Sequence, residues 1–411
     1  MREMKDSGIE WIGAIPTTWH TQKMKYISNF IQNKYSSDYG LLPYIGLENI
    51  ASWSGSFIST NSQYDREQSL ICEPEDILFG KLRPYLAKVY MNDRLCCCSN
   101  EFAVIRVNGQ NKRYMWYQLL SHGFIFEIDR STYGTKMPRA NAEFIRNVFV
   151  ALPSEIEQQK IANYLDKMCA EIDAVLEKTR ASIEEYKKLK QAVITQAVTK
   201  GIRGDRPMKD SGIEWIGDIP AEWGVVPHKR IMHKVKEICE RYNGEDIISL
   251  TVNGVVKRDL TAGGKMPTSF DGYQYVEPND LLLCLFDIDV TPRCVGVVRD
   301  YGVTSPAYSR FVMHDGYYNA YYDYLLRMID DNKVFVHLSK NLRSSLTESD
   351  FGAIKTCAPP LAEQKCIAAF LDVRCDEIDA LIAKKQQYLT EIENYKKSLI
   401  YEYVTGKKEV V

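Results

Sequence analysis

The sequence has no long apolar run. The longest such stretch near its middle, residues 281–286, is far shorter than the ~20 residues that cross a bilayer. Residues 1–6 contain no apolar segment of a secretory leader. The 11 cysteines are scattered without a C-x-x-C pair, which favours reduced thiols over a disulfide framework. We therefore expect a soluble, cytoplasmic protein that does not enter a membrane.

Net charge is also low. The 411 residues include 52 Lys and Arg against 54 Asp and Glu, and 45% are hydrophobic, which is typical of globular chains. This balance excludes a polycation that coats nucleic acid, so any basic surface must come from local clusters.

The most informative positive feature is an internal repeat. Residues 4–13, MKDSGIEWIG, recur at 208–217, and 13 of the 16 positions from 4 to 19 match at an offset of 204. Shared segments also occur at 157–166 and 363–372 and, more weakly, at 73–78 and 277–282. The intervening inserts are nearly unrelated. The pattern predicts a common scaffold with two different recognition surfaces; neutral drift of loops is the alternative.

A long helix is predicted after each insert. In residues 155–199, apolar side chains recur at steps of 4 and 3, which is typical of a coiled-coil seam. The predicted seam positions are Ile161, Leu165, Met168, Ile172, Val175, Thr179, Ser182, Tyr186, Leu189 and Val193, then Ile378, Leu381, Lys385, Tyr388, Ile392, Tyr395 and Leu399. Prolines at 153 and 359–360 mark the helix starts, and Gly201 and Gly406 mark the ends. Two ordinary core helices are the alternative.

Each insert combines short β-rich runs, turn signals and one helical patch, at residues 114–121 and 317–328. The predicted fold class is α+β: two similar mixed α/β domains separated by two long helices.

Common catalytic motifs are missing. Pro359-Pro360 is followed by Leu361, not by the aromatic residue of an amino-methyltransferase motif, and Gly263-Gly264-Lys265 lacks the P-loop hydroxyl. No H-E-x-x-H zinc motif occurs. Residues 96–98 are consecutive cysteines; on a strand their side chains alternate between faces, so we expect buried structural thiols.

A nuclease remains a weak alternative. Glu75, Asp76 and Lys81 loosely resemble a carboxylate-lysine set, but the second copy has Leu285 where the first has Lys81. We therefore predict no catalytic site and no metal or cofactor in this chain.

Candidate nucleic-acid contacts come from local clusters, because the first insert holds 15 basic and 12 acidic residues and the second 16 and 18. These clusters carry cations, hydroxyls, amides and an aromatic ring, the groups that contact phosphates and base edges. The candidates are Lys81, Arg83, Tyr85, Thr135, Lys136, Arg139 and Asn141 in the first insert, and Arg293, Lys340, Asn341 and Arg343 in the second. Solvated loop charges are the alternative for each cluster.

Several motifs in a fixed, duplicated order carry a family resemblance. They are SGIEWIGxIPxxW at 7–19 and 211–223, YIGLENI at 44–50, ILFGKLRPY at 77–85, GTKMPR at 134–139, the Pro and Glu-Gln segments at 152–162 and 359–368, and the helix endings at 196–201 and 402–407. With them, the chain resembles the specificity subunits of type I restriction-modification systems over essentially its whole length.

The resemblance implies two target recognition domains, each reading one half of a bipartite double-stranded DNA target, with the two long helices paired antiparallel between them. It also implies a non-catalytic subunit that docks two modification subunits, which bind S-adenosylmethionine and methylate adenine. Restriction subunits that cleave DNA with ATP and Mg are further implied partners. The second insert departs from the pattern, with Cys284-Leu285-Phe286-Asp287 in place of the GKLRPY-like segment. The alternative is a coiled-coil adaptor or a silent specificity cassette that reads no DNA.

The expected boundaries follow the repeat. Residues 1–19 and 207–220 are the two opening segments, 20–151 and 221–358 the two target recognition domains, and 152–206 and 359–411 the two helical segments. Within the first domain, we predict that Arg139 reads a base and Lys136 contacts phosphate, since arginine makes bidentate pairs with guanine and lysine acts as a point charge.

Overall fold

A computed structural model describes residues 2–60, 66, 68–134, 136–260, 267, 269–291, 293–339 and 344–410. It divides into two compact units: residues 1–180 with 386–411, and residues 181–385. None of its described helices combines the length and apolarity needed to cross a membrane.

The first unit is built on a four-stranded antiparallel sheet in the order β4-β10-β7-β8, beside a three-stranded sheet β5-β9-β6 and the pairs β1-β2 and β3-β11. Its strands are β1 Met4–Asp6, β2 Ala14–Pro16, β3 His20–Lys23, β4 Ser28–Ile31, β5 Tyr44–Ile45, β6 Leu70–Cys72, β7 Ile77–Gly80, β8 Val89–Met91, β9 Cys96–Cys98, β10 Phe102–Val107 and β11 Phe149–Leu152. Its shorter helices are α1 Met24–Ile27, α2 Lys112–Leu120, α3 His122–Arg130 and α4 Ala142–Asn147. The three cysteines of β9 are buried free thiols, as predicted.

The second unit repeats this plan, with a four-stranded sheet β15-β22-β19-β20 and the pairs β12-β13, β14-β23, β16-β17 and β18-β21. Its strands are β12 Met208–Asp210, β13 Asp218–Pro220, β14 Gly224–Pro227, β15 Met232–Val235, β16 Ile248–Thr251, β17 Gly254–Lys257, β18 Gln274–Val276, β19 Leu281–Leu283, β20 Val295–Val297, β21 Gly302–Thr304, β22 Ser309–Met313 and β23 Lys355–Ala358. Its shorter helices are α6 Asn319–Asp331, α7 Val334–Leu338 and α8 Glu348–Ala353. The predicted fold class is confirmed.

The two long helices are α5, Glu155–Lys200, and α9, Leu361–Val404. Gly201 and Gly406 follow their ends at φ of +75° and +72°, the left-handed conformation that glycine adopts without strain. An added Cβ at Gly406 would lie 2.4 Å from Pro16 Cδ, so this position also allows close packing on the opening segment. The predicted helix starts and ends are confirmed.

The predicted seam register, however, is wrong over part of both helices. On α5, Val175 is 40% exposed, whereas its neighbour Leu176 is 5% exposed and buried. Further along α5, Ile183 is buried instead of Ser182. The predicted position and its neighbour are only about 100° apart on a helix, and at these sites the larger aliphatic side chain is the one that packs.

The same one-residue shift occurs on α9. Leu381, Tyr388 and Tyr395 are exposed, and the positions directly after them are more buried. The last of these is Lys396, a lysine where the seam pattern would place an apolar side chain.

Within each unit, the segments of α5 and α9 run antiparallel. In the first unit, Asp173 pairs with Lys396 at 2.7 Å and Arg180 with Glu393 at 2.6 Å, so partner numbers fall as residue numbers rise. In the second unit, Lys385 Nζ lies 5.6 Å from the centre of the Tyr186 ring, and Lys190 lies 2.6 Å from Asp379, so partner numbers fall in the same way.

A repeated contact joins the tryptophan that ends each copy of the repeated motif, at 7–19 and 211–223, to the start of a long helix. Trp19 Nε1 donates to Glu157 Oε2 at 3.1 Å, and Trp223 Nε1 donates to Glu363 Oε2 at 2.9 Å. Both indole rings are buried. The repeated sequence therefore specifies the same indole–carboxylate contact in each unit.

The far end of a long helix completes each core. In the first unit, the Tyr114 hydroxyl donates to Val404 O at 3.0 Å, and in the second the Tyr321 hydroxyl donates to Val198 O at 2.8 Å. The first unit therefore uses the end of α9, and the second uses the end of α5.

Candidate nucleic-acid interface

In the first unit, the fold brings together the two predicted cationic segments, which are about 50 residues apart in sequence. Residues 81–83 follow β7, and residues 133–139 lie between α3 and α4. Arg83 N donates to Pro138 O at 2.7 Å, and Ala140 N donates to Lys81 O at 2.9 Å. These backbone bonds form a bridge between Leu82 and Arg139, which makes the two segments one surface.

Residues 133–139 form what we call the clamped loop. Its ends pair with each other, since Arg139 N donates to Tyr133 O at 3.2 Å and Tyr133 N donates to Arg139 O at 3.4 Å. Gly134 turns the chain at φ +91°. Thr135, a predicted contact, lies outside the described residues. The base of this loop is thus held on two sides, by its own ends and by residues 81–83.

The charges of this surface differ in their surroundings. Arg139 forms an ion pair with Glu101, the residue just before β10. Partial burial lowers the pKa of Lys81, and the neighbouring Arg139 adds to that shift while Glu101 opposes it. The exposed side chains of Arg83 and Lys136 have no ion pair among the described residues. Arg83 and Lys136 are therefore available to an anionic ligand, and Arg139 is held in place by a carboxylate.

Tyr85 and Asn141 have more specific settings. Tyr85 lines a cavity of about 450 Å³ together with Trp53, His122 and Phe126. Asn141 caps α4, since its Oδ1 accepts a hydrogen bond from Glu143 N at 2.8 Å. An asparagine directly before a helix is a typical N-cap signal, so this role was readable from the sequence.

In the second unit, the structure describes only one of the four predicted contact residues. Arg293 is partly buried, and its Nε donates to Val295 O at 2.9 Å while Nη1 donates to Val252 O at 3.4 Å. The guanidinium is therefore directed toward backbone carbonyl groups of its own unit. Lys340, Asn341 and Arg343 lie outside the described residues.

The carboxylates of the weak nuclease alternative have structural partners. Asp76 is buried, and its two oxygens accept from Arg106 Nε at 2.8 Å and Nη2 at 2.9 Å. The equivalent Asp280 pairs with Arg310 Nε at 2.6 Å. Each aspartate also accepts a backbone hydrogen bond three residues back, from Glu73 N at 2.8 Å and from Glu277 N at 2.6 Å, so the pair stabilises the turn before β7 and β19. Across the described ranges, no three His, Cys, Asp or Glu side chains are arranged to hold a metal ion.

Glu101 is the site residue that the sequence did not suggest. It lies 38 residues from Arg139 in sequence, with no spacing pattern linking the two. Two backbone contacts bring them together: Lys81 N donates to Glu101 O at 2.8 Å, and the bridge between residues 82 and 139 places Arg139 beside the same segment.

Comparisons with known proteins agree with this architecture. Residues 16–185 match the family described as "Type I restriction modification DNA specificity domain". The chain is 25% identical over 334 residues to the type I restriction enzyme MjaVIII specificity subunit of Methanocaldococcus jannaschii, covering 75% of this chain and 73% of that protein. It is 24% identical to the putative MjaX specificity subunit of the same organism, covering 97% and 96%.

Two solved structures share the fold. One comes from a study of complex assembly and conformational transition of the type I R-M system; it aligns with a TM-score of 0.74 at 16% identity, over 96% of this chain and 99% of the other. The other is the HsdS subunit of Thermoanaerobacter tengcongensis, with a TM-score of 0.52 at 16% identity, over 96% and 98%. At this identity the likeness concerns the fold alone.

The fold repeats one frame around two divergent α/β domains. The family match over residues 16–185 and the named relatives confirm the resemblance predicted from the sequence: the chain carries a type I restriction modification DNA specificity domain and is similar over most of its length to specificity subunits of type I restriction enzymes.

Proposed function

We propose that this specificity subunit reads the first half of a bipartite DNA target with the cationic surface of its first unit. The observation that carries this proposal is the convergence of residues 81–83 with the clamped loop. Arg83 and Lys136 are exposed and suited to phosphate, whereas the guanidinium of Arg139 is held by Glu101 as a base-reading group should be.

The second unit reads the other half-site with different residues. Its scaffold repeats that of the first unit, including the Asp280–Arg310 pair. Its insert, however, is nearly unrelated in sequence, and Arg293 is directed toward its own backbone. Two readers with different surfaces on one repeated scaffold suit an asymmetric target.

Partner subunits carry out the methylation and cleavage reactions. In this proposal, two modification subunits that use S-adenosylmethionine methylate adenine, and restriction subunits with ATP and Mg cleave unmodified DNA. The chain itself is not catalytic, and it works in the cytoplasm. Support comes from the structural roles of Asp76 and Asp280 and from the named relatives, which are specificity subunits.

Exchange of one insert tests the proposal. Residues 20–151 are replaced by the corresponding insert of another specificity subunit, and the methylated motif is read by sequencing DNA from cells that contain the modification subunits. We expect one half of the motif to change and the other to stay. A motif that changes in both halves would contradict independent readers. Methylation that does not depend on this chain would instead favour the adaptor or silent cassette.

A further inference from the structure

The clamped loop presents apolar side chains among cations. Tyr133 is 64% exposed, and Met137 is 63% exposed although methionine is usually buried. Lys136 directly precedes Met137, and Arg83 N bonds to Pro138 O directly after it. An apolar side chain therefore protrudes from a surface whose exposed charges are positive.

Hydrogen bonds fix the backbone of the loop before any ligand binds. Its ends pair through Tyr133 and Arg139, and residues 81–83 brace it through two further backbone bonds. Pro138 fixes its own φ within the braced segment. Because the loop backbone is already fixed, insertion orders only the Met137 side chain and little further backbone, which lowers the cost of insertion.

Charge complementarity favours a polyanion as the ligand. Arg83 and Lys136 have no ion pair among the described residues, so they can approach phosphates next to the site that Met137 enters. Among polyanions, duplex DNA offers an apolar site for such a side chain, the space between stacked base pairs. Methionine is one of the residues that proteins insert there to unstack and bend DNA.

We propose that Met137 is a wedge that inserts between two base pairs of the first half-site and unstacks them. The inference rests on the proposed function and deepens it by naming a property of the substrate. Pyrimidine–purine steps unstack most easily. The first half-site therefore contains, or directly adjoins, such a step at the position that Met137 enters.

The test uses the full chain assembled with its modification subunits and a duplex that carries its methylated motif. 2-Aminopurine, whose fluorescence rises when it unstacks, is placed at successive positions of the first half-site other than the adenine that is methylated. The variants are Met137→Ala, which removes the wedge, and Met137→Leu, which keeps an apolar side chain. Met4→Ala is the matched control, because Met4 is a 39% exposed methionine of the same unit in β1.

We expect fluorescence to rise at one pyrimidine–purine step with the wild-type chain, with Met137→Leu and with Met4→Ala, and not with Met137→Ala. Met137→Ala should also bind about tenfold more weakly, as expected when a large buried apolar side chain is lost. A duplex with a mismatch at that step is already partly unstacked. The difference in affinity between the wild type and Met137→Ala should therefore be smaller on that duplex.

Two results would overturn the wedge and leave the proposed function intact: no rise at any step although the wild-type chain distinguishes its motif from a scrambled duplex, or a rise that persists in Met137→Ala. If the wild-type complex does not distinguish the motif at all, the proposed function itself fails.

Discussion

The ammonium group of Lys396 lies 2.7 and 2.8 Å from the two carboxylate oxygens of Asp173, where α5 and α9 pair in the first unit. The lysine is only 7% exposed, so it depends on this carboxylate for compensation. A buried charge that loses its partner costs more than the pair contributes, while an apolar side chain of similar volume is often tolerated.

Asp173→Ala should therefore destabilise the first unit by about 1–3 kcal/mol, whereas Lys396→Met should cost less. Arg180→Ala, which breaks the exposed pair with Glu393, is the control and should change stability by less than about 1 kcal/mol. Urea unfolding followed by circular dichroism gives all three values. If Lys396→Met proved the most damaging, the packing of the lysine stem would matter more than its charge.

The second unit should lose stability in mild acid through His228. Burial lowers the pKa of His228 from 6.5 to about 4, so the folded protein keeps the ring neutral where the unfolded chain protonates it. Stability from this group is complete above pH 6.5 and falls as the pH drops from 6.5 toward 4, by about 3 kcal/mol in all. The free energy of unfolding measured across this range should decline less in His228→Leu. His337→Leu, at an exposed position of the same unit, should decline like the wild type.

Lys136 and Arg139 should differ in how they affect DNA binding. Lys136→Ala should weaken binding evenly across sequences and reduce the salt dependence, because it removes one phosphate contact. Arg139→Ala should relax one position of the first half-site by about 1–3 kcal/mol. Affinities for single-base-substituted half-sites, measured at fixed salt with modification subunits present, distinguish the two. Identical profiles for both variants and the wild type would remove this loop from the reading surface.

Glu101 should matter only through Arg139. Glu101→Ala frees the guanidinium and should relax the same base position as Arg139→Ala, and the double variant should be no worse than Arg139→Ala alone. Glu101→Gln keeps an acceptor for the guanidinium and should fall between Glu101→Ala and the wild type. Glu73→Ala, which breaks the ion pair with Arg106, is the control and should leave the base profile unchanged. A changed profile at a different base position would separate Glu101 from Arg139.

The sequence predicted best what depends on local signals. Gly201 and Gly406 end their helices because glycine adopts positive φ, a preference carried by the residue itself. The repeat predicted two equivalent units because the buried Trp19 and Trp223 recur with their helix partners. The seam register could not be predicted reliably: Val175 and Leu176 both fit 3-4 spacing, and only the packing surface selects between them.

Contacts between residues that are distant in sequence could not be predicted from the sequence. The ion pair of Arg139 with Glu101 depends on the bridge between residues 82 and 139 and on the hydrogen bond from Lys81 N to Glu101 O, and no sequence pattern predicts either contact. Arg293 looked like a free cation, yet it donates to two backbone carbonyls supplied by folding. The domain boundaries and the individual DNA contacts stay predictions.

The two units differ in when all of their residues become available during translation. Residues 181–385 are one continuous stretch, so a ribosome has delivered every residue of the second unit before it reaches the last turns of α9. The first unit must wait for residues 386–411, since the Tyr114 hydroxyl bonds to the carbonyl of Val404, 290 residues later. A frameshift near residue 400 would therefore damage the reader that is translated first and spare the one translated second. In such a variant, the half of the methylation motif that disappears would be the one assigned to the amino-terminal domain.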